Sequence, residues 1–174
     1  MQSKPLTLLV ALALVLCSGC SRDKKSEVYS TPQGQVTVTK QADGQQQQVT
    51  VQGKDGTSSL TIGSQIAPAA LGVPFYPGTE QAEGGTWSMQ GGQQGQAGSV
   101  TSAMLTSKDS LGEVLAFYKE KLAERKPEIY EMTMPTGKMA NMVMEDGATS
   151  TTAIVITEDR DQGVTRIQIT KSAK

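Results

Sequence analysis

The 174-residue sequence contains no histidine and only two cysteines, Cys17 and Cys20. Lack of histidine excludes His-based triads, imidazole acid–base chemistry and the usual zinc sites. Both cysteines lie near the N-terminus, so the chain beyond residue 20 has no disulfide and no thiol nucleophile. An excess of charge of one sign is missing too. The 16 basic and 17 acidic side chains leave a net charge of −1, which gives no basic footprint for nucleic acid. Long apolar runs are absent: the run Leu6–Leu16 has 11 residues, too few to span a bilayer as a helix.

That run follows Lys4 and has the length of a signal-peptide h-region. It ends in Ser18, Gly19 and Cys20, two small residues ahead of a cysteine. The arrangement resembles the lipobox of bacterial lipoproteins. The resemblance implies cleavage before Cys20 and a diacylglycerol on its sulfur, with membrane lipid as the partner. Cys17 does not fit as the acceptor, because Leu16 is too large for the position before it, and Cys17 itself stands where the family usually has another residue. Ser21, rather than aspartate, follows Cys20, which in Gram-negative members implies the outer membrane, facing the periplasm. The expected organisation is a signal peptide over residues 1–19, then a lipid anchor and flexible tether over 20–34.

Residues 35–63 carry three apolar pairs at spacing two: Val36 and Val38, Val49 and Val51, Leu60 and Ile62. Asp43-Gly44 and Asp55-Gly56 punctuate them. This pattern predicts a three-stranded antiparallel meander with one apolar face, too small to hold its own core. Residues 64–78, with Pro68, Pro74 and Pro77, read as a proline-rich linker.

The clearest element lies between Ser110 and Arg125. Leu111, Val114, Leu115, Tyr118 and Leu122 form one face of a 3.6-residue period, and Phe117 widens it. Ser110 and Glu113 have capping-box spacing, and Pro127 ends the run. Strands are expected over residues 86–89 and 100–105 before this helix, with a mobile glycine- and glutamine-rich loop over 90–98 between them. Four more are expected over 128–134, 138–145, 152–157 and 165–170, separated by turn signals such as Asp146-Gly147. Residues 79–171 therefore predict an α+β fold, an antiparallel sheet with one covering helix in the order ββαββββ. The stretch from Pro74, Tyr76, Pro77 and Gly78 to Phe117, Tyr118, Lys119, Lys121 and Leu122 resembles a group of envelope lipoproteins with a "PxYPG" entry and an "FYKxKL" helix. The likeness spans roughly residues 71–171 and carries no catalytic residues with it.

The unusual side-chain cluster is methionine. Met132 and Met134 share a strand face by spacing, as do Met142 and Met144 on the next strand, with Met139 near the turn. Thioethers are soft ligands suited to Cu(I). Methionine equally fills irregular gaps under a helix, in contact with Tyr118 or Phe117. Trp87 reads as a packing residue, and the acidic pairs Glu145-Asp146 and Glu158-Asp159 as turn residues. The glycines around Gly91 do not lead from a strand into a helix, so they cradle no phosphate. No serine has a recognisable base. The sequence thus points to a non-catalytic binding or scaffolding module without a cofactor, with an envelope protein as a partner. Metal or small-ligand binding through the methionines is the alternative.

Overall fold

The structure is a computed structural model, described here for residues 25–174 except 33, 42–45, 55, 83, 94–95 and 136. The expected signal peptide, Cys20 and the expected turn signal Asp43-Gly44 lie outside the described residues. Among the described residues eleven strands form one antiparallel sheet, and helices are few. The first four are β1 (Lys25–Thr31), β2 (Gly34–Lys40), β3 (Gln47–Gly53) and β4 (Gly56–Ile62). A short helix α1 (Pro68–Leu71) leads to β5 (Glu80–Gln81), β6 (Trp87–Gln93) and β7 (Gln96–Ser107). Helix α2 (Leu111–Lys121) is followed by β8 (Glu128–Met134), β9 (Gly137–Glu145), β10 (Ser150–Asp159) and β11 (Val164–Ala173). Across the sheet the order is β1-β2-β3-β4-β6-β7-β11-β10-β9-β8, with β5 paired to the far end of β7.

The meander is present as β2, β3 and β4, and it is one strand longer than its sequence pattern predicts. Lys25–Thr31, expected within a tether, pairs along its full length with β2. Backbone hydrogen bonds to a neighbour suffice there, since every β1 side chain is exposed. The meander continues into the rest of the molecule edge to edge, through the β4–β6 ladder from Ser58–Gly91 to Ile62–Trp87.

Residues 64–78 are not a linker but part of the core. Pro68 starts α1, Gly72 closes it at φ 69°, and Ile66, Leu71 and Val73 are buried. Gln81 holds this segment like a strand partner: its side chain accepts from Ile66 N at 3.0 Å and donates to Ile66 O at 2.7 Å. Residues 90–98 also differ from expectation, because β6 and β7 extend through most of them as a hairpin. Gly91 shows why glycine suits a strand here. It faces Ser58 across the ladder, and a Cβ on Gly91 would run into the Ser58 hydroxyl.

Helix α2 forms as its pattern requires. Ser110 Oγ accepts from Glu113 N at 3.4 Å, and the Glu113 carboxylate accepts from Ser110 N at 2.9 Å. This is the reciprocal capping box. Leu111, Val114, Leu115, Tyr118 and Leu122 are all buried. Their burial contributes roughly 8–15 kcal/mol gross, at about 1.5–3 kcal/mol each. The α-helix stops at Lys121, ahead of the expected Arg125, and the chain tightens into a 3-10 turn over Ala123–Arg125. Lys126 then adopts a left-handed conformation, φ 48° and ψ 59°, just before Pro127.

Residues opposite each other across an antiparallel pair share a face. On the α2 side, Leu105, Ile167, Ile156 and Ala140 line up across β7, β11, β10 and β9, as do Ala103, Ile169, Ile154 and Met142. These residues are all buried and form the core with α1 and α2. In the other half of the sheet the apolar side is reversed. Val36, Val38, Val49, Val51, Leu60 and Ile62 lie in register with Trp87 and Met89, on the face away from α2. Threonine, serine and glutamine occupy the α2 side there.

Candidate functional site

The methionines do not come together. Met132 stands directly opposite Met139, and Ile129 opposite Met142. Successive residues of a strand point to opposite faces, so the two pairs part company. Met142 and Met144 are buried beneath the helices, in one cluster with Tyr118. Met132, half-exposed, lies with Met134 and Met139 on the opposite face. No four-thioether site forms. The pairing of Met134 with Gly137 sets this register, and the Pro135–Gly137 turn signal beside it is present in the sequence.

Other singled-out residues serve structure. Asp159 accepts from Gln162 N at 3.1 Å and from Arg166 Nε at 2.9 Å. These contacts hold its carboxyl below the ordinary range and brace the β10–β11 turn. Trp87 is half-buried, between Ile62 and Ser102 in the ladders. Glu158 contacts Arg160 at 3.3 Å.

Asp146 holds a network not foreseen from sequence. It pairs with Arg125, accepts from Thr152 Oγ1 at 2.9 Å, and so ties the turn after α2 to the β9–β10 connection. Arg125 also donates to Gly72 O at 3.0 Å, which adds α1 to the joint. Burial opposes ionisation of Asp146. Hydrogen bonds from Thr152 and Arg125, with the charges of Arg125 and Lys171, outweigh it and hold the carboxyl below its usual range. Every member has a partner, as an architectural joint requires.

A concavity of about 530 Å³ beside the start of α2 is lined by residues including Glu80, Ser107, Lys108 and Asp109. Two of its polar groups are taken up locally. Ser107 Oγ accepts from Asp109 N at 3.1 Å, and Asp109 accepts from the Tyr76 hydroxyl at 2.7 Å. That bond, followed by burial and the charges of Asp109 and Glu113, pushes the Tyr76 hydroxyl up to about 12. A second, shallow concavity of about 720 Å³ lies where β4, β6, β7 and β11 meet, lined by small residues such as Ser59, Gly91, Ala97 and Ser99. Neither brings a nucleophile to a base. Among the described residues, no group of three or more acidic, cysteine or histidine side chains is placed to hold a metal. No described helix is long and apolar enough to cross a membrane.

What stands out is the reversed apolar face. It spans β2, β3, β4 and β6, and Val51 and Met89 on it keep 45% and 46% of their surface exposed. Among the described residues no helix covers it, since α1 packs on β7 and β11 and α2 on β9 and β10. Spacing within each strand reveals the apolar pairs. Which side of the sheet they occupy depends on the β4–β6 pairing, which spacing does not encode. The chain matches no known protein family, curated protein or solved structure.

Proposed function

We propose that the chain is a lipid-anchored envelope protein whose folded part is a non-catalytic binding or scaffolding module. The observation that carries the anchor is the Leu6–Leu16 run ending on Ser18, Gly19 and Cys20. Acylated Cys20 is its contact with membrane lipid, in the outer membrane facing the periplasm. Diacylglycerol with an N-acyl chain supplies more than one hydrophobic signal, as stable anchoring requires. The binding role is supported by the open apolar face of β2–β4 and β6. The finer reading of β6, β7, α2 and β8–β11 as a ββαββββ unit like that of the "PxYPG…FYKxKL" lipoproteins belongs to the same proposal. Cys20→Ala is expected to move the protein from the membrane to the soluble fraction. Persistent membrane association refutes the anchor.

A second reading is soft-metal binding at the sheet edge. The observation that favours it is the direct opposition of Met132 and Met139, with Met134 on the same face. Competition with a Cu(I) chelator tests it: binding weaker than about micromolar ends this reading.

A further inference from the structure

We propose that the apolar face of β2, β3, β4 and β6 packs against the same face of a second copy of this chain. The two sheets would form the layers of a sandwich. This deepens the binding-module reading, on which it rests, by naming the partner.

The first argument is size. The four strands β2, β3, β4 and β6, about 4.8 Å apart and about seven residues long, present a face of roughly 450 Å² before side-chain relief is counted. A monomer's largest apolar patch is typically about 300–600 Å², and a standard interface buries about 800 Å² per partner. Adding Tyr29, which is 54% exposed and opposite Val36 on β1, brings the face closer to the second figure.

The second argument is charge. On the described part of this face, from β1 to β7, the charged residues are Lys25, Glu27 and Lys40. They lie together at one corner, beside the apolar patch, and include both signs. The patch itself gives no field to attract a strongly charged partner, and no like-charge penalty when it meets its own copy. An isologous pairing needs only a surface complementary to itself, and rows of half-buried valine, leucine and methionine flanked by glycine supply one.

The third is the chemistry of the two sides. Threonine, serine and glutamine line the α2 side of β2–β4, a wetted surface. Strands with one wet face and one apolar face are those of a two-layer assembly. The α2 half of the molecule has its second layer; the meander half lacks one among the described residues.

The test measures the mass of the full chain in detergent by sedimentation and native mass spectrometry. A dimer is expected at micromolar concentration. Val51→Lys places a charge at the centre of the buried face and is expected to raise the dimer dissociation constant at least about tenfold. Gln52→Lys puts the same charge on the adjacent residue, also exposed but on the polar side, and is expected to leave it within about twofold. Met89→Lys serves as a second apolar-face variant if circular dichroism shows Val51→Lys to be unfolded. A monomer up to about 100 μM overturns the proposal. So does a dimer that the apolar-face lysines leave intact, which would mark co-residence in one micelle. Loss of the anchor would be read by membrane fractionation of Cys20→Ala, so the two proposals fail separately.

Discussion

Tyr76 meets Phe117 edge-on, with ring centroids 5.2 Å apart and planes at 80°. Phe117 meets Tyr118 in the same manner at 5.1 Å. The turn through Pro74–Gly78 and helix α2, far apart in sequence, are thus in direct contact through Tyr76 and Phe117. Tyr76 extends the contact by donating to Asp109, next to the α2 N-cap.

Removing the ring should therefore cost more than removing the hydroxyl. Tyr76→Phe is expected to destabilise by about 0.5–1.5 kcal/mol, the net value of one hydrogen bond. Tyr76→Ala should cost about 1 kcal/mol more through the lost aromatic pair. The Tyr76 hydroxyl is raised from 10.0 to about 12 in the folded protein. Its contribution is complete below the unfolded value and is lost as pH rises through the folded one. Chemical denaturation across this alkaline window should show wild type losing more stability than Tyr76→Phe.

Tyr118 gives the opposite outcome. Its hydroxyl is buried without a well-formed hydrogen bond, close to the backbone amide of Tyr76, and burial raises its pKa. Tyr118→Phe removes that unsatisfied group and keeps the ring. It should be neutral or stabilising by up to about 1 kcal/mol. Tyr118→Ala should cost about 3–5 kcal/mol, in line with other large aromatic truncations. Thermal melts of both variants test the contrast.

Acid should loosen the joint around Asp146. The folded carboxyl titrates below the ordinary carboxylate range, so its contribution is present above the unfolded value and fades as pH falls through the folded one. Asp146→Asn should destabilise at neutral pH by about 1–3 kcal/mol. It should also flatten the acid limb of the stability curve. An unchanged acid limb would assign that limb to other carboxylates.

Lys126 is the described non-glycine residue with positive φ. A Cβ in this conformation costs about 1–2 kcal/mol, partly offset by the greater freedom glycine has when unfolded. Lys126→Gly is expected to stabilise the protein by up to about 1 kcal/mol, and Lys126→Val to destabilise it. Urea denaturation midpoints decide this.

The elements readable in the sequence are those set by local chemistry. Ser110 and Glu113 form their capping box within four residues, and the Leu111–Leu122 stripe needs only the helical period. Met142 and Met144 share a face because strands have period two. Features set by pairing are not readable in the same way. Lys25–Thr31 offers only Val28 and Tyr29 as apolar cues, and becomes a strand because β2 has a free edge. Residues 64–78 look like a linker because prolines interrupt them, yet Ile66, Leu71 and Val73 are buried in the core. The glycine-rich 90–98 segment scores as a loop by composition, although backbone bonds alone suffice to extend the β6–β7 hairpin. Arg125 and Asp146 are 21 residues apart, and their pairing depends on where the turn after α2 delivers the guanidinium.

The fit of Ser58 against the bare backbone of Gly91 sits in the ladder that joins the two halves. Side chains alternate along a strand, so a slip of one residue there would exchange the two sides of the whole meander. The valines of β2 and β3 would then turn toward the helix side and the threonines away from it. One missing Cβ thus admits the register that puts the meander's apolar side chains on the face away from α2. Alanine at position 91 would press on Ser58 in the one ladder that holds that orientation.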